Sequence, residues 1–401
     1  MLCAKCKGKG LCGKPCPILN SFREFQPQIK EEFSGSSPPE IFVGRHNYPN
    51  VFTGIISPAE HGNTEQLSMP ELWHKNNSQI SDILSFRSRM IYSRFKSDIY
   101  SVQNPEKFLS TMQEVALASK PAEMEFKLEK KPTIRFHAEA RMPIIGNPAP
   151  LKAVRFTENI KIERKVDYLV NDTDVKSRIA MQEMHDSGIQ TSSIIKLLSA
   201  GLLGEKQNRK LVPTRWAITA TDSNLSELML KDIRYFSIIS DYLLFNSEYL
   251  GNHYEIILIP SSFSYEVLEA KMSGSVWNPS QELDFMIDYE SWYGRKDYAE
   301  NVAGGYYAVR LPATEYLTKI KKQASVLVMR ECRPEYWAPC GVGILRECTR
   351  SAFSKTPEKF SSLQDALQAA QARMRLPTSE FTKRSTLIKE FNTQRKLSSF
   401  F

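Results

Sequence analysis

Arg215-Trp-Ala-Ile-Thr-Ala-Thr-Asp-Ser-Asn-Leu-Ser-Glu-Leu-Met229 is where two periodicities meet. Arg215 to Thr221, rich in threonine with Trp216 and Ile218 two apart, reads as a strand. Asp222 or Ser223 then stands where a helix N-cap belongs, ahead of Leu225, Leu228 and Met229 at helical spacing. A strand handing over to a helix predicts a mixed chain, and the mixture recurs outward. Thr133-Ile-Arg-Phe-His-Ala-Glu-Ala140 and Ala153-Val-Arg-Phe-Thr157 alternate as strands, and Ala324-Ser-Val-Leu-Val-Met329 reads as another. Helical spacing runs through Ile80, Ile83, Leu84, Arg87, Met90 and Ile91, and again from Ile194 to Leu203, ending at Gly204. Ser362 predicts an N-cap with Asp365 three residues on, followed by Leu363, Ala366, Leu367, Ala370 and Met374 on one face. There is no internal repeat and no regular βαβ alternation, so the fold class predicted is α+β, a mixed α/β chain.

At 401 residues the chain exceeds one ordinary core, which predicts two packed regions. Residues 1–20 form a Cys/Gly/Lys-rich knuckle too small to fold without a ligand. Residues 21–40, with Ser34-Gly-Ser-Ser-Pro-Pro39, read as a linker opening an N-terminal body domain over 21–285. A C-terminal body domain follows over 286–377. It opens on the aromatic Tyr289-Glu-Ser-Trp-Tyr-Gly294 and the paired Gly304-Gly305. From Thr378 to Phe401 the chain turns polar and basic, which predicts a flexible tail.

The composition, 41% hydrophobic and 24% charged, is that of a globular protein with a real core. Apolar runs such as Tyr254-Glu-Ile-Ile-Leu-Ile-Pro260 fall far short of the ~18 residues that span a bilayer. The lysine-bearing N-terminus lacks the apolar stretch of a secretory signal, so a cytoplasmic protein with no membrane partner is expected. A net charge of +8 favours polyanionic partners only mildly over this length.

Of seven cysteines, four fall in the pattern Cys3-x2-Cys6-x5-Cys12-x3-Cys16. Four thiolates this close suit tetrahedral Zn²⁺, and Gly8, Gly10 and Gly13 allow the turns that wrap them round it. An iron–sulfur cluster, also held by four thiolates, is the rival ligand. Lys5, Lys7, Lys9 and Lys14 stud the knuckle and offer contacts to phosphate, unless they are simply solvated.

The chain closes on Gln394-x-x-Leu397-x-x-Phe400-Phe401. In a short helical turn Leu397 and Phe400 share a face and Phe401 flanks them, building one apolar plug for a hydrophobic pocket. Gln394, a turn earlier, reaches carbonyls beside that pocket, and Arg395 and Lys396 suit an acidic rim. Such a window arises by chance about once in 30,000 positions, so its place at the terminus reads as a docking peptide for a DNA sliding clamp. The competing reading is an apolar terminus folded back on the core.

Weaker constellations remain open. Arg45-His46-Asn-Tyr48-Pro49 lies between Ile41-Phe-Val-Gly44 and Val51-Phe-Thr-Gly54. Arg45 and His46 suit phosphate or a base edge and Tyr48 suits stacking, while the plain reading is a strand–turn–strand. Asp222 reads as an N-cap, with a catalytic or metal-binding carboxylate as the alternative. Glu290, Asp297 and Glu300 mingle with Trp292, Tyr293, Arg295 and Tyr298, a mixture found in nucleotide pockets and on ordinary surfaces. Cys332, Cys340 and Cys348 lack a fourth partner at metal spacing and read as core thiols. No Walker loop, His-Glu-x-x-His, Gly-x-Ser-x-Gly or deaminase signature is present, so no reaction is written in a familiar motif.

Taken together, the four-Cys knuckle, Phe42-Val-Gly-Arg45-x2-Tyr48-Pro49-x-Val51, Val212-Pro-Thr-Arg-Trp216-Ala-Ile-Thr-x-Thr-Asp222 and the terminal peptide closely resemble the Nre family of archaeal DNA-repair proteins. The resemblance covers nearly the whole chain. It implies an archaeal cytoplasm, a part in DNA-damage repair, and binding to the PCNA clamp through the tail; it supplies no catalytic residues. The leading expectation is a non-catalytic repair factor that binds DNA through the zinc knuckle and a basic surface. The alternative is a clamp-recruited enzyme acting on DNA, a nuclease or nucleotide-dependent modifying enzyme. Its pocket would be built from Arg45, His46, Arg215, Asp222, Glu290 and the rest of 289–300. A pure adaptor is the third reading, and a body this large argues against it.

Overall fold

A computed structural model describes residues 15–25, 30–133, 144–273, 275–278 and 280–393. The chain divides into two compact units, one comprising residues up to Leu225 with Ala338–Ile344, the other Ser226–Trp337 with Leu345 onward. Residue 286, where the composition changes, lies inside a strand of the second unit.

The first unit contains strands β1 (Glu32–Ser37), β2 (Ile41–Val43), β3 (Asn50–Pro58), β4 (Met90–Asp98), β5 (Ala122–Leu128) and β6 (Asn147–Phe156). Its helices are α1 (Pro17–Phe25), α2 (Pro70–Lys75), α3 (Ile80–Ser88), α4 (Lys107–Leu117), α5 (Arg164–Asn171), α6 (Ser177–Asp186) and α7 (Thr191–Ser199). An eighth, α8 (Thr214–Ile233), carries the chain across the division. The strands form one sheet in the order β1-β5-β6-β4-β3-β2, antiparallel except for β4 beside β6. Strand β5 alternates buried and partly exposed residues, the mark of a sheet packed on one face. Helices α4 and α7 pack on the β2–β3 end of that face. A buried cluster of Ile56, Leu67, Met90 and Tyr92, flanked by Phe42 and Phe86, covers part of the other.

Three expectations are corrected here. Residues 34–39 are not a linker: β1 pairs with β5 along its whole length, and Gly35 to Pro39 are buried. Gly35 reads as flexible but is required, because a Cβ there would sit 2.3 Å from the carbonyl oxygen of Pro58. Arg215 to Thr221 is not a strand but the opening of α8, whose first amides, Trp216 and Ala217, bond the Pro213 carbonyl at 2.7 and 3.0 Å. The buried stripe of α8 runs through Ala217, Thr221, Leu225, Met229 and Ile233, four residues apart. Its first members are small, so hydrophobic alternation marks Trp216, which is exposed, and Ile218, which is only partly buried. Asp222 is consequently mid-helix, not an N-cap. The third correction is the tail, taken up below; most of the strand expected over 133–140 lies outside the described residues.

The second unit is built on β7 (Tyr242–Tyr249), β8 (Asn252–Ile259), β9 (Tyr265–Lys271), β10 (Asp284–Glu290), β11 (Ser325–Cys332) and β12 (Glu358–Phe360), in the order β10-β9-β11-β8-β7-β12. Strands β8 and β11 are buried at every position, as expected where both faces are covered. The β7–β8 hairpin turns on Leu250 and Gly251, both with positive φ. Helices α9 (Gly304–Ile320) and α10 (Gly343–Phe353) supply Tyr306, Tyr316 and Phe353 against Tyr265 and Phe245 on one face. Helices α11 (Leu363–Gln371), α12 (Thr378–Thr382) and α13 (Thr386–Thr393) supply Ala366, Ala370, Phe381, Leu387 and Ile388 to the core on the other. Ser362 caps α11 by accepting from the Asp365 amide at 3.1 Å, as its spacing predicts.

The polar stretch from Thr378 is therefore no flexible tether as far as Thr393. Buried Glu266 of β9 accepts from the Thr386 amide at 2.8 Å, from the Leu387 amide, and from the Ser385 hydroxyl, satisfying the orphan donors that open α13. Burial raises the Glu266 pKa, while these three donors lower it. The docking peptide proper, Gln394, Leu397, Phe400 and Phe401, lies outside the described residues.

Candidate nucleic-acid interface

Gly44 ends β2 with its amide on the Phe52 carbonyl at 2.8 Å, and a Cβ there would crowd that same oxygen, so glycine opens the turn. Arg45, His46, Asn47 and Tyr48 follow at its exposed tip, with Asn47 at a positive φ. The Ile99 amide bonds the Pro49 carbonyl at 3.1 Å and anchors the return into β3. This is the plain strand–turn–strand, and it holds its polar residues outward.

The second long motif comes to the same place. The Val43 amide donates to the Thr214 hydroxyl at 2.9 Å across 171 residues of sequence. Thr214 also bonds the Ser199 hydroxyl at 3.1 Å, and Ser199 donates to the Val212 carbonyl at 2.8 Å. That bracket fixes the first turn of α8 beside the β2–β3 turn. Trp216 thereby meets Tyr48, ring centroids 5.4 Å apart at 53°, and both remain more than two-fifths exposed, at 46% and 42%. Arg215 is half-buried beside it. Exposed aromatic pairs are costly to leave in water unless something covers them.

On strands β3 and β4 of the same sheet, Phe52 faces Lys96 directly and Arg94 on the diagonal. The Arg94 guanidinium lies 4.4 Å and the Lys96 ammonium 5.5 Å from the Phe52 ring centroid. Arg94 Nε is buried with no hydrogen-bond partner among the described residues, so the ring, not an anion, is what it meets there. Reading the sequence alone does not single out Phe52, Arg94 and Lys96. The signal is nevertheless present in Ser93-Arg-Phe-Lys96, where period-2 alternation puts both cations on one face.

The other candidates are placed elsewhere. Asp222 is fully buried within α8. Glu290 belongs to the second unit, where both of its carboxylate oxygens accept from buried Arg310, at 3.0 and 2.8 Å. Burial opposes the Arg310 charge, but the Glu290 carboxylate more than offsets it and keeps the guanidinium protonated. An ion pair so enclosed is a structural brace rather than a poised acid or base. Cys332, Cys340 and Cys348 are buried core thiols, each pushed up to about 12 by burial.

Cys3, Cys6 and Cys12 lie outside the described residues. Cys16 is a half-buried free thiol immediately ahead of α1. Among the described residues no group of three or more His, Cys, Asp or Glu is arranged to hold a metal ion. No helix among them is long and apolar enough to cross a membrane.

Family profiles described as "Archaeal Nre, N-terminal" and "Archaeal Nre, C-terminal" match residues 11–278 and 290–400. The chain belongs to the archaeal Nre family. It is 38% identical to DNA repair protein NreA of Archaeoglobus fulgidus, over 93% of both chains. It is 36% identical to DNA repair protein NreB of the same organism over the full length of each. DNA repair protein NreA of Haloferax volcanii is 32% identical over 94% of this chain and 92% of that one. No solved structure matches it. Both motifs that carry the family likeness, Phe42 to Val51 and Val212 to Asp222, thus meet at the surface holding Tyr48 and Trp216.

Proposed function

We propose that this protein is a DNA-repair factor of the archaeal cytoplasm that binds DNA through the first unit and is delivered to a sliding clamp, PCNA, by its C-terminal peptide. The observation that carries the DNA-binding half is the exposed Tyr48–Trp216 pair, and the same sheet carries Arg94 and Lys96 around the Phe52 ring. Lys96, Arg94 and Arg45 supply sequence-independent attraction to phosphate, and the two rings supply stacking surface for an unpaired base. The relatives named as DNA repair proteins support the setting. The clamp half rests on the spacing of Gln394, Leu397, Phe400 and Phe401, which builds the apolar plug derived above.

The cysteine set adds a second point of attachment in this reading: Cys3, Cys6, Cys12 and Cys16 hold one zinc ion, whose role is to fold the knuckle and present its lysines. Metal analysis should return about one zinc per chain; a brown, iron-containing protein would replace zinc with an iron–sulfur cluster. The enzymatic alternative gains nothing from Asp222, buried in a helix, or from Glu290, held by Arg310.

Two titrations test the two halves separately. Removing residues 394–401 should abolish binding to PCNA and leave DNA affinity unchanged; undiminished clamp affinity would remove the docking peptide from the account. Replacing Tyr48 and Trp216 together by alanine should weaken DNA binding about tenfold while clamp binding persists, since stacking of a base on an aromatic ring is worth roughly 1–3 kcal/mol.

A further inference from the structure

The second unit carries its own aromatic platform, and the turn that forms it is the 289–300 segment noted in the sequence. Ser291 accepts the Gly294 amide at 2.9 Å, closing a tight turn in which Gly294 takes a positive φ of 80°. Trp292 and Tyr293 occupy its two central positions, Trp292 at 43% and Tyr293 at 88% exposure. The Arg234 guanidinium lies 5.5 Å from the Trp292 ring centroid, and Tyr235 next to it is 89% exposed.

Beneath this turn opens a cavity of about 240 Å³. It is lined by Ser261, Ser262, Ser264 and Ser325 together with Trp292 and Phe391. Ser325 donates to the Ser262 carbonyl at 2.7 Å and shares a 2.8 Å bond with Ser264, so these two hydroxyls are ordered while each keeps unused capacity. Glu390 also lines the cavity, its carboxylate accepting from the Tyr289 hydroxyl.

We infer that this site takes an unpaired base of single-stranded DNA, stacked on Trp292, whose ring stands at 88° to that of Tyr293, with the base edge turned to the serines that line the cavity. This rests on the DNA-binding reading above and assigns the second unit a distinct share of it. Three features select a base over other ligands. The volume is below the roughly 300–1,000 Å³ of drug-sized ligand sites, so it admits a single ring system rather than an extended molecule. The Glu390 carboxylate inside it repels phosphate but accepts from an exocyclic amino group. A cation stands outside the cavity lining: Arg234, over Trp292. Base inward and backbone along the rim is how sequence-tolerant single-strand binders work, with aromatic faces supplying the affinity. Unpaired bases are also what damaged or mismatched DNA yields most readily.

The test uses the full chain and fluorescence anisotropy with a dye-labelled single-stranded oligonucleotide and its duplex. The double variant Trp292→Ala/Tyr293→Ala should lose about tenfold or more in single-strand affinity. Duplex affinity and the thermal midpoint should stay as in the native protein, since both side chains are exposed. Trp292→Phe, which keeps an aromatic face, should recover most of the loss. Equal single-strand affinity of native protein and double variant, with both folded, would overturn the inference. Native protein that binds duplex but not single strands would also overturn it while leaving the first unit's role intact. Binding to neither would remove both.

Discussion

On β4 of the first unit, Arg94 and Lys96 sit at alternate positions with a single aromatic ring between them and solvent at hand. On β11 of the second unit, Arg330 is buried and bound by Glu269 and Asn252, and just beyond it Arg333 is bound by Glu331 at 2.7 Å and Glu248 at 2.6 Å. Both strands belong to six-stranded sheets of similar build. The difference lies in what covers the arginines. Where helices bury both faces, every cation must bring its own carboxylate, because an unpaired buried charge costs several kcal/mol. Where one face stays partly open, Arg94 and Lys96 have no carboxylate partner among the described residues and keep their attraction for a polyanion. A basic count alone does not separate these two populations; burial does.

The comparison can be broken most forcefully inside the second unit. Glu290→Gln strips buried Arg310 of its charged partner and should cost about 3–5 kcal/mol of stability, read as a lower denaturation midpoint. DNA affinity measured below the transition should not change; a selective loss of DNA affinity or of an activity with stability intact would restore Glu290 as a functional carboxylate. A smaller effect is expected at the first surface. Trp216→Ala alone should lower DNA affinity by less than the roughly tenfold expected when Tyr48 is replaced with it, with stability nearly unmoved because the ring is exposed.

A pH titration sharpens the second unit further. Burial raises the thiols of Cys332 and Cys348 from an ordinary value of 9.0 to about 12. Since the folded values lie above the unfolded ones, their contribution to stability is complete below pH 9 and is lost as pH rises from there toward 12. Unfolding followed at increasing alkalinity should show that decline, and at neutral pH neither thiol should react with an alkylating reagent until the chain unfolds. Rapid labelling in the native state would show that this core opens readily.

How much of the fold is legible in the sequence depends on distance along the chain. Ala324 to Met329 and the Ser362 cap are readable because a β-branched run and a cap with Asp365 three residues on are local signals. The start of α8 reads as a strand because its buried stripe begins with Ala217 and Thr221, which carry little hydrophobic weight, while Trp216 and Ile218 imitate alternation. The helices after Thr378 are hidden because their anchor, Glu266, lies 120 residues from Thr386. The candidate interface shows the same limit: Arg45, His46 and Tyr48 can be named, but their meeting with Trp216 depends on a bond spanning 171 residues. Glu290 draws attention as a carboxylate among aromatics, and only the fold shows that Arg310 already holds it.

The most direct measurement is the salt dependence of duplex DNA affinity for the native chain and for Arg94→Ala/Lys96→Ala. The account predicts weaker binding by the variant at low salt. It also predicts a slope of log affinity against log salt that is shallower by about 1 for each phosphate the variant no longer neutralises, with the denaturation midpoint little changed. Identical affinities and identical slopes for the two proteins would contradict it.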